Sequence, residues 1–307
     1  MVLDVRERED AIARVVGPDQ ALDDGFGDAI VWPRPHLGKD FSVWCLARGA
    51  LALRPGGSLW CAARKAKGAE SLEDELAAMM GELDVVARDK GYRLVRARRG
   101  PAFDEARARS HVAARYAIED PALPGLVLVS APGVFSRREL DGGTRQLLEH
   151  AAARASTATE PSAVLDLGCG VGPLALWAAV RWPSARVVAV DSNLRAVALA
   201  RENVARHGLE GRMRVLASDG LAADVVAREG LEPFSLALVN PPTHAEPEGL
   251  GRLAQDLRRA LAPGGVAMLV VSRAGRMTEQ LVRAEARVEA FEYPRFTVLE
   301  ARWDQAP

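Results

Sequence analysis

Residues 163–172 read AVLDLGCGVG, an apolar run that leads into a turn with a glycine at every second position. The apolar residues before the turn predict a strand that is covered on both faces. Gly168, Gly170 and Gly172 permit a tight turn and let a ligand approach the backbone where the next helix begins. The glycine pattern alone is weak evidence for a ligand site, because structural turns and dinucleotide-binding sites share it.

Strand and helix patterns continue to alternate on both sides of this turn. The other predicted strands are 186–190, 213–217, 235–239 and 265–271, and the predicted helices are 140–152, 173–182, 194–208 and 249–262. Residues 285–303, EARVEAFEYPRFTVLEARW, predict two strands joined by a Pro-containing turn. This order predicts an α/β fold with a doubly wound, mostly parallel sheet that ends in an antiparallel hairpin.

Acidic residues follow three successive strands, at the sheet edge where doubly wound folds bind ligands. Asp166 precedes the glycine turn, Asp191 ends the second strand and Asp219 follows the third. A carboxylate at Asp191 can accept hydrogen bonds from both ribose hydroxyls of a nucleoside, and Asp219 from an adenine amino group. Each Asp alone could equally be a helix N-cap. Three acids together with the glycine turn favour a nucleoside ligand.

The fourth strand ends in Asn240-Pro241-Pro242. Two prolines fix the backbone and remove two donors, so that the Asn240 side chain and the Pro241 carbonyl offer acceptors to a ligand. These acceptors would orient an exocyclic amino group for attack on a methyl group, and orientation would supply most of the rate. An ordinary strand-to-helix turn is the alternative interpretation.

DLGCGVG, the acid of VAVDSN and VNPP together resemble the motifs of class I S-adenosylmethionine-dependent methyltransferases. Residues 131–150, APGVFSRRELDGGTRQLLEH, are similar to the segment before that domain in bacterial small-subunit ribosomal RNA guanine-N2 methyltransferases. The resemblance implies a seven-stranded Rossmann-like methyltransferase sheet and transfer of a methyl group to guanine N2 in ribosomal RNA. It implies catalytic residues Asn240, Pro241 and Pro242, with S-adenosylmethionine held by Phe135, Ser136, Thr144, Asp166, Gly168, Gly170, Gly172, Asp191, Asp219 and Asn240.

Residues 29–36, AIVWPRPH, are echoed 208 positions later by residues 237–244, ALVNPPTH. The same gapless offset aligns the Pro-Gly-Gly at 55–57 with that at 263–265, and residues 82–99 predict a second hairpin. The echo indicates an internal duplication. We therefore predict a smaller degenerate α/β domain over 1–110, followed by the cofactor-binding catalytic domain over 111–307.

The front copy lacks the chemistry of the rear copy, because Trp32 stands where the rear copy has Asn240. No GxGxG turn precedes it, so we expect a supporting or substrate-docking domain that does not bind the cofactor. Trp32 and Trp44 could stack on bases or belong to the core. Six Lys or Arg residues within 88–100, with RKAK at 64–67, could contact RNA phosphates or only protect a strand edge from aggregation.

The balance of 40 Lys plus Arg against 41 Asp plus Glu argues against bulk electrostatic binding to nucleic acid or membranes. Three widely spaced cysteines indicate neither a disulfide framework nor a zinc site. No apolar stretch follows Met1, and no apolar run is long enough for a membrane span. We therefore expect a soluble, cytoplasmic protein. The expected partner is ribosomal RNA or the small subunit, with no DNA or membrane partner, and the expected state is a monomer.

One position departs from the resemblance. Amino-directed methyltransferases usually carry Phe or Tyr directly after the two prolines, where this chain has Thr243. His244 or Phe135 could supply the missing stacking surface. Thr243 instead favours a protein amide or small-molecule acceptor, and a nonenzymatic cofactor-binding scaffold is the third hypothesis.

Overall fold

The computed structural model describes residues 25–156, 159–221, 223–242 and 246–304, whose contacts form two compact units. The described part of the first unit is 25–116 with 131–137, and that of the second is 117–130 with 138–304. We keep the domain boundary after residue 110 as a proposal; the first contact group extends to Tyr116. None of the helices within the described ranges has the length and apolarity that crossing a bilayer requires.

The first unit is a four-stranded sheet with its helices packed on one face. Its strands are β1 (Phe26–Val31), β2 (Leu53–Arg64), β3 (Leu83–Asp89) and β4 (Tyr92–Arg98), and its helices are α1 (Lys39–Ala52), α2 (Ala69–Met80) and α3 (Glu105–Val112). The strand order is β1-β2-β4-β3, with β1 and β2 parallel and the other pairs antiparallel. Alternate strand residues such as Leu59 and Val95 join Leu46, Leu76 and Met79 of the helices in one buried core.

The second unit carries the predicted seven-stranded sheet. Its strands are β7 (Ala163–Leu167), β8 (Arg186–Asp191), β9 (Met213–Ala217), β10 (Phe234–Val239), β11 (Leu261–Val271), β12 (Arg287–Glu292) and β13 (Thr297–Arg302). The order is β12-β13-β11-β10-β7-β8-β9, in which β13 runs antiparallel to the other six strands. The predicted doubly wound, mostly parallel sheet with a terminal hairpin is therefore confirmed.

Two helices of this unit, over 223–229 and 274–283, were not predicted from the sequence. The helices are α4 (Gly142–Ala155), α5 (Pro173–Arg181), α6 (Leu194–Arg206), α7 (Ala223–Glu229), α8 (Pro247–Ala260) and α9 (Ala274–Arg283). A separate small sheet pairs β5 (Tyr116–Ile118) with β6 (Leu128–Ser130). Helix α4 begins where the side chain of Asp141 accepts a hydrogen bond from the Thr144 amide at 3.0 Å, as an N-cap does.

The echo in the sequence corresponds to an identical strand register. Every Cα pair between β1 and β2 recurs 208 residues later between β10 and β11, including the irregularity after the first pair. Helices α1 and α8 have the same offset at both ends. The strand order β1-β2-β4-β3 repeats as β10-β11-β13-β12. This agreement supports the predicted common origin of the two units.

A glycine at the same place in each copy shows why the Pro-Gly-Gly sequence recurs. A Cβ on Gly57 would lie 2.9 Å from the Gly27 carbonyl oxygen, and one on Gly265 would lie 2.9 Å from the Phe234 carbonyl oxygen. Such contacts are too close for any side chain. The two backbones can therefore approach only where the residue is glycine.

Candidate active site

The glycine turn after β7 is anchored on the end of the neighbouring strand β8. Gly168, Gly170 and Gly172 have φ of 85°, 56° and 92°, a left-handed conformation that favours glycine. The amides of Gly168 and Cys169 both donate to the Val190 carbonyl, at 2.8 and 2.9 Å. These bonds fix the predicted turn. Apart from the adjoining residues of the chain, no atom of the described residues lies within 4 Å of where a Cβ on Gly168 or Gly170 would be.

Asp191, at the end of β8, joins this turn to the start of α6. One carboxylate oxygen accepts from the Gly170 amide and the other from the Asn193 amide, both at 2.7 Å. A carboxylate oxygen has two lone pairs and can accept more than one hydrogen bond. Asp191 thus stabilises the turn, and it lies where we predict that the ribose is bound.

Asp166 lies beneath the turn and is fully buried. Its Oδ2 accepts from the Ala175 amide in the first turn of α5 at 3.0 Å, whereas its Oδ1 has no hydrogen-bond partner among the described residues. Burial, with a smaller contribution from the nearby Asp191 charge, raises the pKa of Asp166 to about 8. At neutral pH this carboxyl is therefore mostly protonated, which lowers the cost of keeping it inside.

The loop after β9 is held by an acid that the sequence analysis missed. Asp256 of α8 is buried, and its Oδ2 accepts from the Leu221 amide at 2.9 Å. Arg259, one turn further along α8, pairs with the same carboxylate. Asp219 itself is exposed at the start of this loop. The sequence did hold a signal for this role, because Asp256 lies on a helix beside the apolar residues Ala254 and Leu257, which are buried.

Asn240 is fixed by two side chains from the start of α4. Its Nδ2 donates to Asp141 Oδ2 and to Thr144 Oγ1, each at 2.9 Å. An ionised carboxylate only accepts hydrogen bonds, so the atom facing Asp141 must be the amide nitrogen. The amide oxygen of Asn240 is thereby directed away from α4 and remains an acceptor for a ligand.

Asn240 and the glycine turn leave the sheet side by side. Leu238 of β10 is paired with Asp166 of β7, and both chains continue for two residues to Asn240 and Gly168. Neighbouring strands are about 5 Å apart. The register alone therefore brings the predicted catalytic corner next to the predicted cofactor turn. Pro241 is buried and Pro242 exposed, while Thr243 and His244 lie outside the described residues.

Phe135 and Ser136, predicted to line the methionine side of the cofactor, belong by contacts to the first unit. The Phe135 ring is 66% exposed, and Ser136 has a φ of 47°. Their role at the cofactor stays a prediction. Thr144 was predicted to contact the cofactor as well; the structure places its hydroxyl on Asn240.

The basic residues of 88–100 do not all face one way. Arg93 pairs with Glu73 at 2.7 Å, and Arg99 donates to the Leu51 carbonyl at 3.1 Å. Trp44 is 1% exposed and belongs to the core, whereas Trp32 is 65% exposed. Only part of the predicted basic and aromatic set is thus available to a ligand.

The residues around the turn fit S-adenosylmethionine. The buried Oδ1 of Asp166, which has no hydrogen-bond partner among the described residues, the open space at Gly168 and Gly170, and the Asp191 carboxylate together form a polar cradle. Asp166 can donate a hydrogen bond to a ligand when it is protonated, and the Asp191 carboxylate can accept from the hydroxyl groups of a nucleoside. On this fit, Asp191 would hold the ribose and Asp219 the adenine.

The chain is similar to known methyltransferases over most of its second unit. Residues 125–300 match the family model named methyltransferase small domain. Ribosomal RNA large subunit methyltransferase G of Pseudomonas entomophila is 36% identical over 201 residues, covering 64% of this chain and 50% of the relative. Ribosomal RNA small subunit methyltransferase C of Pseudomonas paraeruginosa is 35% identical over 243 residues, covering 76% of this chain and 67% of the relative.

A solved structure extends the likeness to both units. The 16S rRNA N2 methyltransferase of T. thermophilus, in complex with AdoMet and guanosine, superposes with a TM-score of 0.75 at 24% identity, covering 93% of this chain and 75% of that one. The chain spans about half the length of the large-subunit methyltransferases that it matches. The family model covers more than half of this chain and includes the glycine turn, Asp191 and Asn240. The chain therefore belongs to the methyltransferase small domain family.

Proposed function

We propose that the protein transfers a methyl group from S-adenosylmethionine to the exocyclic N2 amino group of a guanine in ribosomal RNA. The observation that carries this proposal is the Asn240 amide, locked by Asp141 and Thr144 beside the glycine turn. When bound, the cofactor supplies a sulfonium methyl group, which is already electrophilic. The protein therefore needs to orient the acceptor more than to activate it.

Asn240 and Pro241 would orient the acceptor through its two amino hydrogens. One hydrogen bond to Asn240 Oδ1 and one to the Pro241 carbonyl direct the nitrogen lone pair outward, toward the neighbouring turn. Because both acceptors are held before the substrate arrives, little reorganisation accompanies the reaction. The proton that the amino group loses passes to solvent.

The names of the relatives support ribosomal RNA as the substrate, since some are large-subunit and others small-subunit ribosomal RNA methyltransferases. The match to the small-subunit enzymes extends over 243 residues against 201 for the large-subunit enzyme. We therefore propose the small subunit as the substrate. Thr243, in place of an aromatic residue, and the near-neutral net charge favour the alternative of a protein amide or small-molecule acceptor.

Two substitutions separate acceptor binding from cofactor binding. Asn240→Ala should lower methyl transfer to small ribosomal subunits at least about a hundredfold, because it removes an acceptor used at the reacting nitrogen. Its affinity for S-adenosylmethionine should stay within about threefold of the parent. Asp219→Ala, as the matched control, should weaken cofactor binding but retain most of the transfer rate at saturating cofactor.

Tritium transfer and titration calorimetry measure the two quantities. Transfer by Asn240→Ala at the parent rate would refute the catalytic role of the corner. Transfer to soluble protein in place of ribosomal subunits would support the alternative in which the acceptor is a protein amide.

A further inference from the structure

The exposed face of the first unit's sheet carries aromatic side chains at one edge. Because side chains alternate along a strand, Val31 and Cys61 point into the core and Trp32 and Arg64 point to the other face. Tyr92 of β4 is paired with Arg64 of β2, so it lies on the same outer face. Trp32, Arg64 and Tyr92 therefore meet on a surface that the helices of this unit do not cover.

These three side chains form a preordered group. The Trp32 and Tyr92 rings lie 5.8 Å apart between centroids at 36°, and the Arg64 guanidinium lies 5.6 Å from the Tyr92 centroid. Yet Trp32 remains 65% exposed and Tyr92 37%. A tryptophan so open to water leaves most of a flat apolar ring for a ligand.

The position of this group corresponds to the ligand edge of the second unit. The group lies at the carboxyl ends of the parallel strands β1 and β2, and a doubly wound sheet such as that of the second unit binds ligands at the carboxyl ends of its strands. In the duplicated unit the residue at the same offset is Asn240, in the predicted catalytic corner. The first copy thus has an aromatic ring and a cation at the place where the second has an amide.

Charged side chains, most of them positive, lie around the end of the hairpin beside Tyr92. Lys65 and Lys67 follow β2 and Lys90 lies in the β3–β4 turn, whereas Asp89 is paired with Tyr92 and Arg88 with Arg93. The residues that line a depression of about 440 Å³ there are Lys65, Arg88, Asp89, Lys90, Gly91, Tyr92 and Arg93. Lys65 pairs with Glu70 at 3.5 Å, but both side chains are largely exposed, so that such a pair would readily exchange for a phosphate.

We propose that this aromatic edge, formed by Trp32, Tyr92 and Arg64 with Lys65 and Lys90, binds an unpaired segment of RNA. A base stacks on the Trp32 ring, and the cations hold the adjoining phosphates. Paired RNA hides the faces of its bases, so single-stranded segments are preferred. The proposal rests on the proposed function, to which it adds a docking site on the first unit.

Fluorescence anisotropy with a labelled 12-nucleotide uridine-rich RNA, on the full chain without S-adenosylmethionine, tests the proposal. Trp32→Ala should raise Kd about tenfold, in the range that removing one stacked base produces. Lys90→Ser should weaken binding and make it less dependent on salt. Phe26→Ala is the control, because Phe26 is 50% exposed at the opposite end of β1, about 20 Å away, and should leave Kd unchanged.

Several outcomes would overturn the proposal. They are parent-like binding by Trp32→Ala, an equal loss in Phe26→Ala, and tighter binding of an RNA duplex than of the single strand. A Trp32→Ala protein that binds RNA normally but loses self-association in sedimentation would assign the edge to a protein partner instead.

The methyl-transfer assay keeps this test separate from the proposed function. With RNA at saturation, Trp32→Ala should retain kcat while KM rises, since Trp32 does not belong to the Asn240 corner. Loss of RNA binding in Trp32→Ala together with normal transfer by Asn240→Ala would refute the proposed function and leave the docking site standing. Loss of transfer in Asn240→Ala with unaltered RNA binding by Trp32→Ala would refute the docking site and leave the proposed function standing.

Discussion

Thr144 contributes a single hydroxyl to the candidate site, yet that hydroxyl helps decide which atom of Asn240 faces the ligand. Asn240 Nδ2 donates to it at 2.9 Å and donates equally to Asp141. Asp141 also caps α4, so its removal would disturb the helix as well. Thr144 is therefore the cleaner position at which to test the orientation of the amide.

Thr144→Val should lower kcat for methyl transfer about tenfold, equivalent to about 1.4 kcal/mol, because the amide of Asn240 loses one of its two anchors. The volume is conserved, and the cap by Asp141 accepts from the backbone amide, which valine retains. We expect KM for RNA and the affinity for S-adenosylmethionine to change little. Thr144→Ser keeps the hydroxyl and should keep kcat near the parent value. Equal losses in the two variants would show that packing, and not the hydrogen bond, matters at this position.

At the scale of elements, a buried ionic network fastens α4 to β13 and so positions Asp141 and Thr144. Glu300 of β13 is 1% exposed and lies 3.0 Å from His150 Nε2, 2.8 Å from Arg154 Nε and 2.8 Å from Arg302. His150 also bonds to the Tyr293 hydroxyl at 2.8 Å through Nδ1. Burial acts to raise the pKa of Glu300, but the His150 hydrogen bond and the two arginine charges outweigh it and hold that pKa below its ordinary value.

Glu300→Gln should lower the free energy of unfolding by about 2 kcal/mol at pH 7, since two arginines and His150 lose a buried anion. The folded-state pKa of Glu300 lies below the unfolded value, so its contribution is present above the unfolded value and is lost as pH falls through the folded one. The difference between variant and parent should thus shrink below about pH 4. Urea unfolding at pH 7 and pH 3.5 measures it, with Glu292→Gln at the exposed end of β12 as control. A pH-independent difference would exclude the ionic explanation.

Part of this organisation was readable in the sequence, and part was not. Apolar runs such as AVLDL predicted the strands because parallel strands are buried on both faces. The contact between Asn240 and Thr144 joins residues 96 positions apart through the docking of α4, which no local pattern encodes. The exposure of Trp32 could have been predicted, because it alternates with the buried Val31.

In the molecule as a whole, the two units share one strand register but differ in the side chains at the carboxyl ends of their strands, as an internal duplication predicts. Both copies keep the Gly57 or Gly265 contact and the same helix bounds, which are needed for packing. They differ at the carboxyl ends of the strands, where Asn240 and Trp32 occupy matching positions. Packing therefore constrains the residues within the elements, while the strand ends are free to differ in chemistry.

The identity of the methylated nucleoside shows whether guanine N2 is the methyl acceptor. Small ribosomal subunits would be incubated with the protein and S-adenosylmethionine carrying a trideuterated methyl group, and the RNA digested to nucleosides for mass spectrometry. We predict that the label appears as N2-methylguanosine with the parent protein and is absent with Asn240→Ala. Label in another nucleoside or in protein, or no label from a protein that binds the cofactor, would contradict the account.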